Sequence, residues 1–298
     1  MTASRSYLSL ARTVYRRAAA PLGRYKLRRM VGGGLRPPFR RPLEFLFDGR
    51  LSQAEQRVVG RVESLRRDVA RRASSFEVVN RDGKVRRLSA PRIAHVVSVD
   101  PEWGAFLHLC AQSFRARVIL ELGGCAGISG CYLASSEYCE RFITVEASPN
   151  LASLARENIR RVSDKAEVVN ALFDDALDEI LPTVSGGIDL AFIDGHHKYE
   201  TTLHYFSRLE RHLNEGALVV FDDIHLSEGM WRAWQVLSRR AGFAYTIGAG
   251  RFGVCSWDGS SPSPVNYNLC PYLGCFRTNP GRPALALPPK GVVVDEGD

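Results

Sequence analysis

The stretch VILELGGCAGISGCYLA, residues 118–134, decides the fold. Its first five residues are apolar except for one acid, Glu121; a turn with glycines at 123, 124 and 127 follows, and then a pattern that suits a helix. A strand that runs straight into a glycine turn and a helix opens a βα unit. The same grammar recurs downstream. Strands are expected at 142–146, 166–170, 188–194 and 217–223, and helices at 149–162, 174–181, 199–213 and 227–239, with Pro149 in the first turn of its helix. The segments GFAYTIG (242–248) and RFGVCSW (251–257) read as a closing hairpin. Seven strands in an α/β, doubly wound, mostly parallel sheet follow, with ligands expected at the carboxyl ends of the strands.

Upstream, Leu51 to Ala73 carries apolar residues at helical spacing behind Ser52, with Glu55 three residues on, a capping-box signature. Asp82-Gly83 suits a hairpin turn. GGGLRPPFRRPL (32–43) is rich in Gly and Pro and reads as a linker or irregular wrap. The tail from Asp258, with repeated Ser, Pro and Gly, reads as loosely ordered. Four regions result: an arm and linker (1–45), an accessory segment of helix and hairpin (46–97), the βα body (98–257) and the tail (258–298).

At 298 residues and 45% apolar content the chain can bury one large core. No apolar run approaches the roughly 20 residues that cross a bilayer, and no secretory signal is visible, so a cytoplasmic place is expected. The seven cysteines form no CxxC pair and read as reduced, mostly buried thiols, with chelation or cross-linking of Cys270 and Cys275 as the alternative. Charge is distributed unevenly. Residues 1–43 hold eleven Arg or Lys and no acid, which leaves 29 basic and 32 acidic residues in 44–298. On a helical projection Tyr7, Leu8, Leu10, Ala11, Val14, Tyr15 and Ala18 share one face, with Arg5, Arg12 and Arg16 opposite. That pattern fits an anionic membrane surface, an accessory helix packed on its own domain, or a mitochondrial presequence.

The glycine turn selects the ligand. A dinucleotide fingerprint GxGxxG fails, because Cys125 and Ile128, or Ala126 and Ser129, fall where glycines are required. ExGxxxG, with Glu121, Gly123 and Gly127, resembles motif I of the class I S-adenosylmethionine-dependent methyltransferases. Glu146 ends the second strand, where an acid accepts hydrogen bonds from ribose hydroxyls. From Pro91 to Trp257 the chain is similar to the group containing catechol-type and macrolide-type O-methyltransferases, through SVDPEWGAFL (98–107), ITVEASPNLASLAREN (143–158), FIDGHHKYETTLHYF (192–206) and FDDIHLSEGMWRAW (221–234). The resemblance implies a Rossmann-like fold and S-adenosylmethionine held by Glu121, Gly123, Gly127, Ser129 and Glu146, with Trp103 and Gly104 near its carboxylate end. The sequence departs from that pattern at Asn170-Ala171-Leu172-Phe173, where the adenine contact is usually found, and at His225, where an aromatic residue is usual.

Asp194 ends the fourth strand, and Asp222 and Asp223 the fifth. Neighbouring parallel strands bring the three together, and clustered carboxylates repel unless something positive sits among them. Three oxygen ligands with open positions suit Mg2+, which would bind and orient a substrate hydroxyl; acids that only cap helices or meet the cofactor are the alternative. In the relatives, His197 matches a position where His is common, so it is a candidate base beside Asp194, while His196 is assigned to the surface. The expected reaction is methyl transfer to a hydroxyl of a small molecule or glycoside. Nucleic-acid methylation through the basic arm is disfavoured, because Asp194-Gly195-His196-His197 lacks the Pro-Pro-aromatic run of DNA amino-methyltransferases and the body is slightly acidic. A cofactor-binding scaffold without turnover is the third reading.

Overall fold

The computed structural model describes residues 2–79, 85–184, 186–273, 277–279 and 282–283. At the centre, β3 (Val118–Leu122), β4 (Arg141–Val145), β5 (Ala166–Val169), β6 (Ile188–Ile193) and β7 (Leu213–Phe221) run parallel, and β8 (Phe243–Ala249) and β9 (Phe252–Trp257) close the sheet as an antiparallel hairpin. With β10 (Val265–Asn268) at one edge, the order is β10-β8-β9-β7-β6-β3-β4-β5. The chain leaves β3 toward β4 on one side and returns to β6 on the other, so the topological switch point lies between β3 and β6.

Side-chain alternation explains why both faces are covered. Ile119, Leu190, Phe192, Leu218 and Val220 pack into one core, and Leu120, Leu122, Ala191, Ile193, Val219 and Phe221 into the other. The first core takes in α5 (Pro101–Ser113), α6 (Ile128–Ala134) and α7 (Pro149–Arg160); the second takes in α8 (Phe173–Ile180), α9 (Tyr199–Leu209) and α10 (Glu228–Leu237). Before the sheet come α1 (Thr2–Gly32), α2 (Arg40–Asp48), α3 (Gln53–Ala70), strands β1 (Ser75–Val79) and β2 (Val85–Ser89), a turn of helix α4 (Ala90–Arg92) and a π-helical turn, Ile93–Val97. The capping box of α3 is formed as expected, Ser52 Oγ accepting from Glu55 N at 3.3 Å and Glu55 Oε2 from Ser52 N at 2.6 Å. Strands β1 and β2 pair antiparallel; the Asp82-Gly83 turn between them lies outside the described residues.

Three expectations change. The stretch 32–43 is no linker: α1 runs into it, Pro37–Phe39 forms a 3-10 turn, and Leu35, Phe39 and Leu43 are buried in the first core. Its prolines sit where a helical turn begins and cost no hydrogen bond. The sheet has eight strands rather than seven, because β10 (Val265–Asn268) pairs in parallel with β8. The tail is therefore ordered as far as 273, with Asp258 Oδ1 accepting from Ser260 N and Ser261 N, and Leu269, Cys270 and Leu273 buried. Cys275, the other half of the proposed Cys270–Cys275 pair, lies outside the described residues. The arm agrees over its second half with one of the readings expected for it, a helix packed on its own domain: Ala19, Ala20, Leu27 and Met30 are buried, and Tyr15 OH donates to Pro271 O at 3.0 Å.

Candidate active site at the switch point

Backbone strain marks the carboxyl ends of the central strands. Cys125 (φ 44°), His196 (φ 58°), His197 (φ 41°) and Asp223 (φ 52°) are all left-handed without being glycine, and each follows β3, β6 or β7. Such conformations cost on the order of 1–3 kcal/mol each and persist where the surroundings over-determine them.

The glycine turn is held by protein contacts. Gly123 (φ 107°) lies so near the β6 turn that a Cβ would sit 2.1 Å from Asp194 O, and one on Gly127 (φ 77°) would sit 2.8 Å from Ala155 Cα in α7. The close approach expected of these glycines is thus first made to neighbouring backbone, and it welds the β3 and β6 turns into one floor. Glu146 closes the side of that floor: Oε2 accepts from Cys125 N at 2.8 Å and Oε1 from Ser148 N at 2.7 Å, and burial holds its carboxyl above the ordinary value in spite of those two amides. Asn170 braces the corner, its Nδ2 donating to Glu146 O and Ala147 O.

Glu121 lies beneath, fully buried. Its Oε2 accepts from Thr144 Oγ1 at 2.6 Å, while Oε1 forms no hydrogen bond of good geometry among the described residues. Burial pushes its carboxyl up to about 7, against the pull of the Ser129 and Thr144 hydroxyls. A buried acceptor oxygen without a well-aligned donor, next to a second anchored carboxylate, is what a cationic or N–H-bearing ligand would satisfy. These residues therefore fit an adenosyl cofactor with a positively charged amino-acid end. Trp103 is buried against Phe106 and Phe252, and Gly104 lies against the Tyr132 ring.

On the other side of the switch point, Asp194 and His197 form a pair, Nε2 to Oδ1 at 3.2 Å. Burial would lower the imidazole pKa, but the bond to Asp194 and the nearby Asp223 and Asp222 raise it above the ordinary value. With Nε2 turned to Asp194, Nδ1 is the nitrogen left to take a proton. His196 is exposed as expected, edge-on to Phe173. His225 stacks on Trp231 at 5.0 Å and meets Cys270 Sγ through Nε2 at 3.3 Å.

The expected metal triad is a different object. Asp222 is fully buried, and Arg251 grips it from both sides: Nε donates to Oδ1 at 2.6 Å and Nη2 to Oδ2. The same Nη2 lies 2.9 Å from Asp223 Oδ1, and Asp222 Oδ1 also accepts from Asp223 N at 2.6 Å. Something positive does sit among the acids, and it is a guanidinium. A divalent ion about 4 Å from that guanidinium would meet roughly 8 kcal/mol of repulsion at an effective dielectric of 20. Among the described residues no three His, Cys, Asp or Glu side chains converge as metal ligands do. Asp194, Asp222 and Asp223 thus do not fit Mg2+ as they stand. Sequence reading missed Arg251 because it lies in the hairpin turn, yet a signal existed: it is the single charged residue between Gly242 and Trp257.

Residues 120–224 match the family described as a methyltransferase domain. This segment, set on the switch-point sheet, is thus similar to methyltransferase domains. Over 138 residues it is 38% identical to the catechol O-methyltransferase of Mycobacterium tuberculosis, covering 45% of this chain and 58% of that protein. It is 34% identical over 131 residues to the catechol O-methyltransferase of Niastella koreensis, covering 43% of this chain and 58% of that one. The chain thus spans less than two thirds of the length of these curated relatives. The O-methyltransferase from Bacillus cereus in complex with SAH has a TM-score of 0.50 at 24% identity, covering 67% of this chain and 91% of that chain, a likeness of fold.

Proposed function

We propose that this protein transfers the methyl group of S-adenosylmethionine to a hydroxyl oxygen of a small molecule or glycoside. The observation that carries the reading is the Glu146 carboxylate, fixed by the Cys125 and Ser148 amides at the rim of the glycine turn above buried Glu121. In this reading Glu146 receives the ribose hydroxyls, and Glu121 Oε1 an N–H of the amino-acid end. Leu172, an apolar side chain left 59% exposed just past Asn170, offers the adenine base a flat contact. The cofactor supplies an electrophilic methyl. The remaining work is positioning and proton removal: His197, oriented by Asp194, accepts the hydroxyl proton at Nδ1 as the oxygen attacks.

Calorimetry with S-adenosylmethionine tests the cofactor half, and a screen of hydroxylated acceptors for products one methylene heavier tests the other. Glu146→Ala is expected to weaken binding at least tenfold, whereas His197→Ala keeps binding and loses about 100-fold or more in rate. An intact protein that ignores the cofactor ends the reading.

The proposal extends to the arm, whose partner we take to be an anionic lipid surface. Leu22 (62% exposed) and Tyr25 (61%) face solvent on α1 beside exposed Arg24, Arg28 and Arg29, an apolar and cationic combination that suits phospholipid headgroups.

A further inference from the structure

We propose that Arg251 is the resident cation of this site, standing where a divalent ion would otherwise gather Asp194, Asp222 and Asp223, and that these acids hold no metal while the protein works. The proposal deepens the methyl-transfer reading and rests on it for its activity arm alone.

Three features make Arg251 a built part of the site. Its side chain is 3% exposed and satisfies both oxygens of Asp222, which is itself fully buried. Its backbone takes part as well: Arg251 O accepts from Ile224 N at 3.0 Å, tying the hairpin turn to the bend that carries Asp222 and Asp223. The guanidinium lies over the Phe252 ring, 5.5 Å from its centroid, and the Trp103 ring fills the space against Gly250 beside it. A planar fork is matched to a carboxylate in a way that a point charge is not, so Arg251 fixes the direction of Asp222 as well as cancelling its charge. Its remaining nitrogen, Nη1, makes no hydrogen bond among the described residues and lies 3.8 Å from Oδ2 of half-exposed Asp100. Arg251 is in this sense a positioning residue. It sets the β7 acids and leaves Asp194 to pair with His197.

The metal alone is the probe. Mn2+ titrated into the full chain and followed by its electron paramagnetic resonance signal should remain free with the wild type and with Arg251→Lys. Arg251→Met, shown to be folded by near-ultraviolet circular dichroism, should take up one Mn2+ per chain at least tenfold more tightly, because the carboxylates have lost their cation. Turnover of any acceptor found should change less than twofold in EDTA. One Mn2+ bound by the wild type at micromolar concentration and released by Asp222→Asn overturns the proposal. So does activity abolished by EDTA and restored by Mg2+, or a folded Arg251→Met chain that still ignores Mn2+. If Arg251→Met does not fold, the wild-type titration decides. If no acceptor is methylated, it is the methyl-transfer reading that fails, while the Mn2+ titrations still judge Arg251.

Discussion

Replacing Glu121 by Gln should stabilise the protein, and only above the acid range. The carboxyl is fully buried, and its value rises from the ordinary 4.5 to about 7. A folded-state value above the unfolded one means that the unfolded chain loses this proton first. The stability associated with the neutral acid is complete below about pH 4.5 and is lost as pH rises through about 7. The rise corresponds to about 3 kcal/mol by pH 8. Glutamine keeps the acceptor for Thr144 Oγ1 and never ionises, so Glu121→Gln should match the wild type near about pH 4 and exceed it by about 3 kcal/mol near about pH 8. Urea unfolding at both pH values measures this, supported by a melting-temperature gain of roughly 6 °C at the higher pH. Binding should move the opposite way. If Glu121 Oε1 serves an N–H of the cofactor, the variant binds S-adenosylmethionine about tenfold more weakly, as expected for loss of a charge-assisted hydrogen bond. A stability gap that is the same at both pH values, or absent at the higher one, refutes the reasoning.

Phe39→Ala should destabilise the chain by about 3–5 kcal/mol in the same unfolding assay, since Phe39 is 1% exposed and edge-on to Phe114 at 4.9 Å; a loss below about 0.5 kcal/mol, the usual cost at a surface position, would return 32–43 to a linker. Vesicles containing phosphatidylserine should co-sediment the protein, and Leu22→Glu with Tyr25→Glu should reduce the bound fraction at least fivefold without changing cofactor binding. Equal sedimentation with neutral vesicles, or no effect of the double substitution, removes the lipid partner.

The amino-acid sequence by itself determined the strand and helix succession from 118 to 257, because strands buried on both faces must be apolar throughout and each helix needs one apolar stripe. It also placed Glu146, Asp194, Asp222 and Asp223 at the ends of their strands, since a strand's end is visible where an apolar run stops at an acid. The partners of those acids were not visible. The Gly and Pro of 32–43 suggested a linker because composition reports local preference, whereas the burial of Leu35, Phe39 and Leu43 depends on the body against which α2 lies. Arg251 is 29 residues from Asp222 in the chain and reaches it because β9 pairs antiparallel with β7, Phe221 opposite Gly253. The sequence led us to expect three carboxylates near one another with a positive charge among them. Only the tertiary structure decided that the charge is a guanidinium carried in on the turn before a neighbouring strand, because a pairing across the sheet leaves no spacing in the sequence to read.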